Sequence, residues 1–560
     1  MEERRLSHTP AHRRPQTKPK LPFAALVAVF VLIALVVVVW QVVGGKSDET
    51  PQARPRPRHP RATVPPAASS SGAVQTPSPT SAFDPIAGPI DPEHPGFTTL
   101  RGNWTRSFQG EGPVPEHPKI AWRVGPWCGV STDLGDTRTW CGTGWNGTPN
   151  VIPRQDGSVE IRVGGYDYNY HFLDGATGQP THPELHTGDL AKGSATSDPN
   201  GYPLYYAGSR DNQFRIVALD RHKPKVLWSM DSHTSVSDPW PWNDDWDGAA
   251  QIVGDYMLEG GENSWFYVVK LNRGYDKSGK VTVDPKIVFT TRAFDDQLRA
   301  DNRSVGQSDM DLSVEDAIAY DAERQVAYFG SSGGLVQGWD ISDILGGGTQ
   351  AKEVFRFWTA GENDASIVMD AEGMLYVSEH YNPPNSRAQK IGQLVKLDPS
   401  KPGNPVVWKV KESTPSYDGE AGFFSTPALV GDTIFASANA GDLMAINKDT
   451  GKVYWRYGLQ QPLWSGPVVV DDKLVIGDCS GRLYAFDVSD PTKKPSQLWQ
   501  VTLGGCIEST PAVWDGMIYV GTRAGFEYAI SDKRPDKLQR EWEAQQAQLA
   551  SPSPSATPSP

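Results

Sequence analysis

Eight times along its length this chain runs a short β-rich stretch, a Gly or Asn turn and a strand carrying a large aromatic residue, and few architectures accommodate that pattern. The units start at "NGTPNVI" (Asn146), "GSATSDP" (Gly193), "WDGAAQI" (Trp246), "MDLSVEDAI" (Met310), "NDASIVM" (Asn363), "FSTPALV" (Phe424), "WSGPVVV" (Trp464) and "ESTPAVW" (Glu508). The sixth is the clearest: "TPALVG" leads into "TIFASANAGDLMAINKDTGKVYWRYG", which reads as an inner strand, two hairpin turns and an outer strand bearing Trp455. Turns of the Asp/Asn-x-x-Thr-Gly kind suit hairpins because they tolerate positive φ. A period of roughly forty to sixty-five residues matches one four-stranded blade of a ring plus insertions.

A lone blade cannot bury both faces, so a flat Trp on its outer strand is expected to seal it against the next. Trp122, Trp228, Trp408, Trp455 and Trp499 take that docking role. The eighth unit lacks an outer strand, while "PKIAWRVG" (residues 118–125) precedes the first unit without a partner. The expectation is an all-β, eight-bladed β-propeller over residues 96–535, its last blade closed by that N-terminal strand. A seven-bladed ring is the alternative, since units three and four match the pattern least.

Leu21 to Val43 is an uncharged stretch, long enough as a helix to cross a hydrocarbon core of about 30 Å. It reads as one transmembrane helix after a basic cytoplasmic tail (1–20), with a cleaved signal peptide as the rival reading. The basic residues before it favour an N-terminus inside, which places the propeller outside the cytoplasm. Residues 44–95 form a Pro-rich disordered linker, and the C-terminal segment (536–560) ends in a Ser/Pro/Thr tail of the same character. Residues 1–61 hold eleven Lys and Arg against four acids, so a chain of net charge −13 carries all of its acidity further on. A body that acidic repels phosphate backbones, which excludes nucleic acid as a partner.

The pattern A-[FIL]-[DN]-x-x-T-G-x-x-x-W, best in "AINKDTGKVYW" and partial in "FLDGATG" and "VALDRHKPKVLW", resembles the pyrroloquinoline-quinone-type repeat. That repeat is shared by quinoprotein dehydrogenases and the noncatalytic propeller lipoprotein of the outer-membrane β-barrel assembly machine. "TTLRGNWTRSFQGEGPVPEHPKIAWRVG" looks like the leading strand of such propellers. "TRTWCGTGWNGTPNV", "WNDDWDGA", "GGLVQGWDI" and "LGGCIESTPAVWDGMIYVGTR" resemble a bacterial membrane-anchored group whose function is not established. The repeat is a packing signature, so the resemblance implies fold and leaves activity open.

Position in the ring pairs Cys479 with Cys506 and Cys128 with Cys141, against the alternative of free buried thiols. The vicinal cysteines of eight-bladed quinoprotein dehydrogenases are absent, and their Glu, Asn and Asp calcium ligands cannot be mapped here residue by residue. No cofactor is therefore assigned. Pyrroloquinoline quinone with Ca²⁺ belongs to the alternative reading of a quinone-dependent dehydrogenase, and a purely structural spacer is a third. The leading reading is a noncatalytic interaction or ligand-binding module of the cell envelope, membrane-held through Leu21 to Val43, with an envelope protein or glycan as partner. Its candidate ligand face gathers Trp127, Trp145, Trp242, Asp244, Asp245, Trp246, Asp247, Glu362, Asp364, Trp464 and Glu508, with Trp140 and Trp240 nearby. Acids beside indoles suit sugars or cations, although the same residues also serve packing and loop capping. "NDDWD" is a calcium candidate without the EF-hand alternation.

Overall fold

A computed structural model describes residues 88–533 apart from 134, 239–242, 382–384 and 417–418, together with 537 and 540. The expected transmembrane helix, the linker before residue 88, most of the C-terminal segment, and Trp240 and Trp242 lie outside these residues. Among the described residues no helix is long and apolar enough to cross a membrane.

Eight four-stranded antiparallel sheets succeed one another: blade 1 (150–186), blade 2 (196–231), blade 3 (251–292), blade 4 (319–358), blade 5 (368–410), blade 6 (428–458), blade 7 (468–502) and blade 8 (512–531). Blade 8 takes its outer strand from Lys119–Val124, which pairs with Glu527–Ser531, so the ring has eight blades and closes as the orphan strand requires. Blades 3 to 5 carry the insertions that blur their repeats, among them the helices Asp296–Val305 and Ser386–Ile391.

The repeat signature has a physical explanation. In "AINKDTG" the Asn447 side chain accepts from the backbone N–H and the hydroxyl of Thr450, and Gly451 turns at φ 69°. A Cβ on Gly451 would lie 2.8 Å from the Trp408 ring of the preceding blade, and one on Gly178 would lie 2.9 Å from Trp122. The glycine thus supplies both the left-handed turn and the seat for its neighbour's indole. Trp122, Trp408, Trp455 and Trp499 each donate the indole N–H to a backbone carbonyl of the next unit in the ring, at Gly175, Lys448, Pro491 and Pro115. In blades 2 to 8 the register between the third and fourth strands slips just before the docking aromatic, a bulge that turns the ring toward its neighbour. Blades 3 and 4 use Phe289 and Phe355 at this position, which is why the Trp pattern loses them.

Upstream of the closing strand, the segment expected as a leading strand does something else. Residues 97–111 thread the axis and touch every blade. Phe97 bridges to Val151, Thr98 accepts from Ser197, and the Trp104 indole donates to Ile252. Tyr320 and Met369 donate to the carbonyls of Trp104 and Thr105. Arg101, buried, donates to the carbonyls of Thr426 and Pro467, and Glu111 donates to Val513. Arg106 completes this plug with bonds to Thr99, Leu100 and Ile318. The described chain begins beside the Gly201 turn of blade 2 and leaves the ring at Lys533, both at the face opposite the loops that lead into the inner strands.

Candidate functional site

The loop into each inner strand has one equivalent position, two residues before the residue nearest the axis. Blades 1 to 8 place there Asn146, Lys192, Asp247, Glu315, Asp364, Phe424, Trp464 and Glu508. Ser and Thr side chains stitch these loops together: Thr148 N–H to Ser194, Ala317 N–H to Ser366, Ser366 N–H to Thr426, and Ser465 Oγ to the Ser509 carbonyl. Asn146, Asp247, Glu315 and Asp364 surround an axial pit of about 20 Å³ whose floor is Leu100 of the plug, room for a single water-sized occupant.

The two sides of this mouth differ. Around blades 6 to 8 the wall is apolar: Phe424, Trp464 and the Cys479–Cys506 disulfide pack together, and Trp145 meets Phe424 edge-on at 5.3 Å. The second disulfide, Cys128–Cys141, ties the ends of a hairpin, Cys128–Asp133 with Asp136–Cys141. Trp140 of that hairpin lies under the guanidiniums of Arg138, Arg523 and Arg210. Both cysteine pairs match the sequence expectation.

The acids divide into two sets. Three have their own cation: Asp245 with Arg210 at 2.6 Å, Asp247 with Lys192 at 2.5 Å, and Glu508 with Arg523 at 3.6 Å. Of the others, Asp311 and Glu315 lie beside Asp364, Lys192 attracts Glu315 and Asp364 from further off, and Glu362 and Asp364 share one close cation. Among the described residues the cation within ion-pair reach of them is His380, whose Nε2 is 2.9 Å from Asp364 and 3.8 Å from Glu362. Its Nδ1 faces Glu420 at 3.3 Å, so both ring nitrogens meet carboxylates. Burial disfavours the imidazolium, but Asp364 and Glu420 outweigh it and raise His380 well above its ordinary value. Asp364 is held low despite its burial, by His380. Burial and then Asp364 push Asp311 up to about 7 and Glu315 well above the usual range; burial raises Glu362 likewise, and His380 does not reverse it.

Two hydroxyls bridge this set, Ser313 between Asp311 and Glu315 and Ser332 between Asp364 and Glu315. Each has one proton to give, so the acids outnumber their donors. Glu362, Asp364 and His380 bring ligand atoms within 4.8 Å of one another, as do Asp245, Asp247 and Glu262. The second group already holds Lys192 and Arg210, which occupy the place of a metal.

Not every candidate residue faces the mouth. Trp246 is fully buried between Phe214 and Tyr267, with its N–H on the Asn212 carbonyl, and Trp127 is buried against His171 at 3.9 Å. These two are packing, as their flat apolar area dictates. Asp244 sits at the rim, paired with His233 at 2.6 Å. Sequence reasoning missed Lys192, Asp311, Glu315 and His380. Glu315 and Lys192 were within reach, because "VEDA" and "AKGS" align with "NDAS" and "WDGA" once the register is fixed.

Eight sheets of this construction define a PQQ-like β-propeller. A family model described as outer membrane protein assembly factor BamB matches residues 392–494, from late in blade 5 into blade 7. A quinoprotein ethanol dehydrogenase of Pseudomonas putida is 34% identical over 95 residues, 16% of this chain and 15% of that protein. BamB of Xanthomonas campestris pv. campestris is 30% identical over 118 residues, 19% of this chain and 28% of its own. The chain therefore spans under a third of these relatives' length. Among solved structures, BamB from Moraxella catarrhalis aligns with a TM-score of 0.46 at 13% identity, covering 68% of this chain and 95% of that one. A europium-containing methanol dehydrogenase aligns with a TM-score of 0.47 at 13% identity, covering 78% and 98%. The protein folds as an eight-bladed β-propeller, and over residues 392–494 its repeats resemble those of BamB.

The quinoprotein relatives raise the question of a quinone. A flat three-ring cofactor needs a slot on the order of 300 Å³ between parallel walls. The pit offers about 20 Å³ above Leu100, and its aromatic wall meets edge-on or tilted (Phe424 to Trp464 at 43°). The residues present do not fit that group.

Proposed function

We propose that this protein is a noncatalytic ligand-binding module of the cell envelope, tethered by Leu21 to Val43 with its ring outside the cytoplasm, and that its mouth receives a cationic group of an envelope partner. The observation that carries this reading is the crowding of carboxyls: Asp311, Glu315, Glu362 and Asp364 stand together, and His380 is within ion-pair reach of Glu362 and Asp364. Asp247, buried and with no partner at Oδ1, points into the same pit. Lys192 shows how the pit handles an ammonium, with its Nζ on Asp247 and 5.1 Å from the Trp145 ring. At the acids of blades 4 and 5, His380 lies 4.8 Å from the Phe424 ring, which packs in turn on Trp464.

Calorimetric titration of the full chain with spermidine and with a lysine peptide amide tests this, with chitotriose as the neutral arm. Saturable cation binding is expected, weaker below pH 7, where Asp311 takes up a proton, and reduced about tenfold in Glu362→Gln. Absence of cation binding, preference for the neutral sugar, or dye reduction that depends on added pyrroloquinoline quinone and Ca²⁺ would each overturn it.

A further inference from the structure

On the face opposite the mouth, at the seam where blade 8 meets blade 1, lies a second and much larger cavity of about 410 Å³. Its lining is mixed, with Pro113, Val159, Trp514 and Met517 beside Asp174 and Asp515, and it includes the last residues of the ring, ending at Lys533. A space of that size accepts a large aromatic side chain with its neighbours, or a small ligand.

The chain beyond Lys533 is suited to it. Residues 534–560 continue from the edge of the cavity itself. Lys537 and Arg540, the residues described beyond the ring, are helical and exposed. In "DKLQREWEAQQAQLA" the large apolar residues are Leu538, Trp542 and Leu549, at spacings of four and seven. On a helix these fall on one stripe, away from the side that carries Lys537 and Arg540. Trp542 lies nine residues past Lys533, about 14 Å of helix, within reach of a cavity that begins at Lys533.

We propose that the cavity is the dock of the chain's own C-terminal segment, residues 534–549, with Trp542 as the anchor inserted between blades 8 and 1. Beside the seam, blade 8 depends on a strand borrowed from the other end of the chain, Lys119–Val124, which strand pairing rather than a hairpin turn joins to Glu527–Ser531. A docked tail clamps that joint from outside, as Trp122 does from within through its bond to Gly175.

Hydrogen exchange on the full chain tests the proposal, comparing wild type, Trp542→Ala and a chain ending at Lys533. Amides of residues 157–161 and 514–521 are expected to exchange at least tenfold faster in both variants, while residues 473–477 of blade 7 stay unchanged. A peptide of residues 534–549 added to the shortened chain restores protection, and the same peptide carrying Trp542→Ala does not. Unchanged exchange in both variants overturns the proposal. So does restoration by the Ala peptide, protection that falls on dilution and therefore comes from another copy, or faster exchange in every blade alike.

Discussion

Blades 6 and 7 and blades 3 to 5 occupy equivalent arcs of one ring, yet they divide its work between them. The first pair keeps the repeat nearly intact and is the region that the BamB family model matches. At the mouth it contributes Phe424, Trp464 and a disulfide, an apolar wall. Blades 3 to 5 lose the docking Trp or interrupt it with helices, and they supply Asp247, Asp311, Glu315, Glu362, Asp364 and His380. What is most recognisable here is what holds the blades together, and the chemistry lies where the repeat fades. Resemblance over blades 5 to 7 therefore informs fold far more than function.

Three substitutions sharpen or break this contrast. The largest effect is expected on the regular side: Trp455→Ala empties the joint between blades 6 and 7 and frees the Pro491 carbonyl, for a loss of about 3–5 kcal/mol by urea denaturation. A loss under about 1 kcal/mol would show that the blades do not depend on their indoles. Next is Gly451→Ala, which puts a Cβ at φ 69° and against Trp408. A loss of about 1–2 kcal/mol is expected, with cation binding intact.

On the acid side the sign should reverse. The folded state holds Glu315 protonated above its ordinary 4.5, mainly because burial penalises its charge. The folded chain then binds more protons than the unfolded one, so this group's contribution falls as pH rises from 4.5 toward its folded value. Glu315→Gln is expected to flatten that decline and to raise stability at pH 8 by about 1 kcal/mol, while weakening cation binding. A destabilised variant at pH 8 would place Glu315 with the packing residues instead.

The ring was legible from sequence because its cause is local and repeated: a Thr-Gly turn, a bulge and an indole recur at fixed spacing. Closure by Lys119–Val124 and both disulfides came from the same register. The plug was not legible, since Arg101 and Arg106 act by reaching backbone carbonyls hundreds of residues away, and a carbonyl has no sequence signature. The candidate face was half legible. Aspartates beside tryptophans marked the right loops, but nothing in "NDDWDGA" distinguishes Asp247, which lines the pit, from Trp246, which fills the space behind it. His380 was hidden because it comes from a separate two-stranded ribbon, His380–Tyr381 with Ala421–Gly422, far in sequence from Glu420 and close in space.

The axial plug has a practical corollary. Because residues 97–111 stop the channel like the base of a cup, and His94 and Lys533 lie on that stoppered side, a label attached at either residue leaves the open end of the cup unobstructed. What enters the cup from its open end meets Leu100 as the floor and leaves by the way it came.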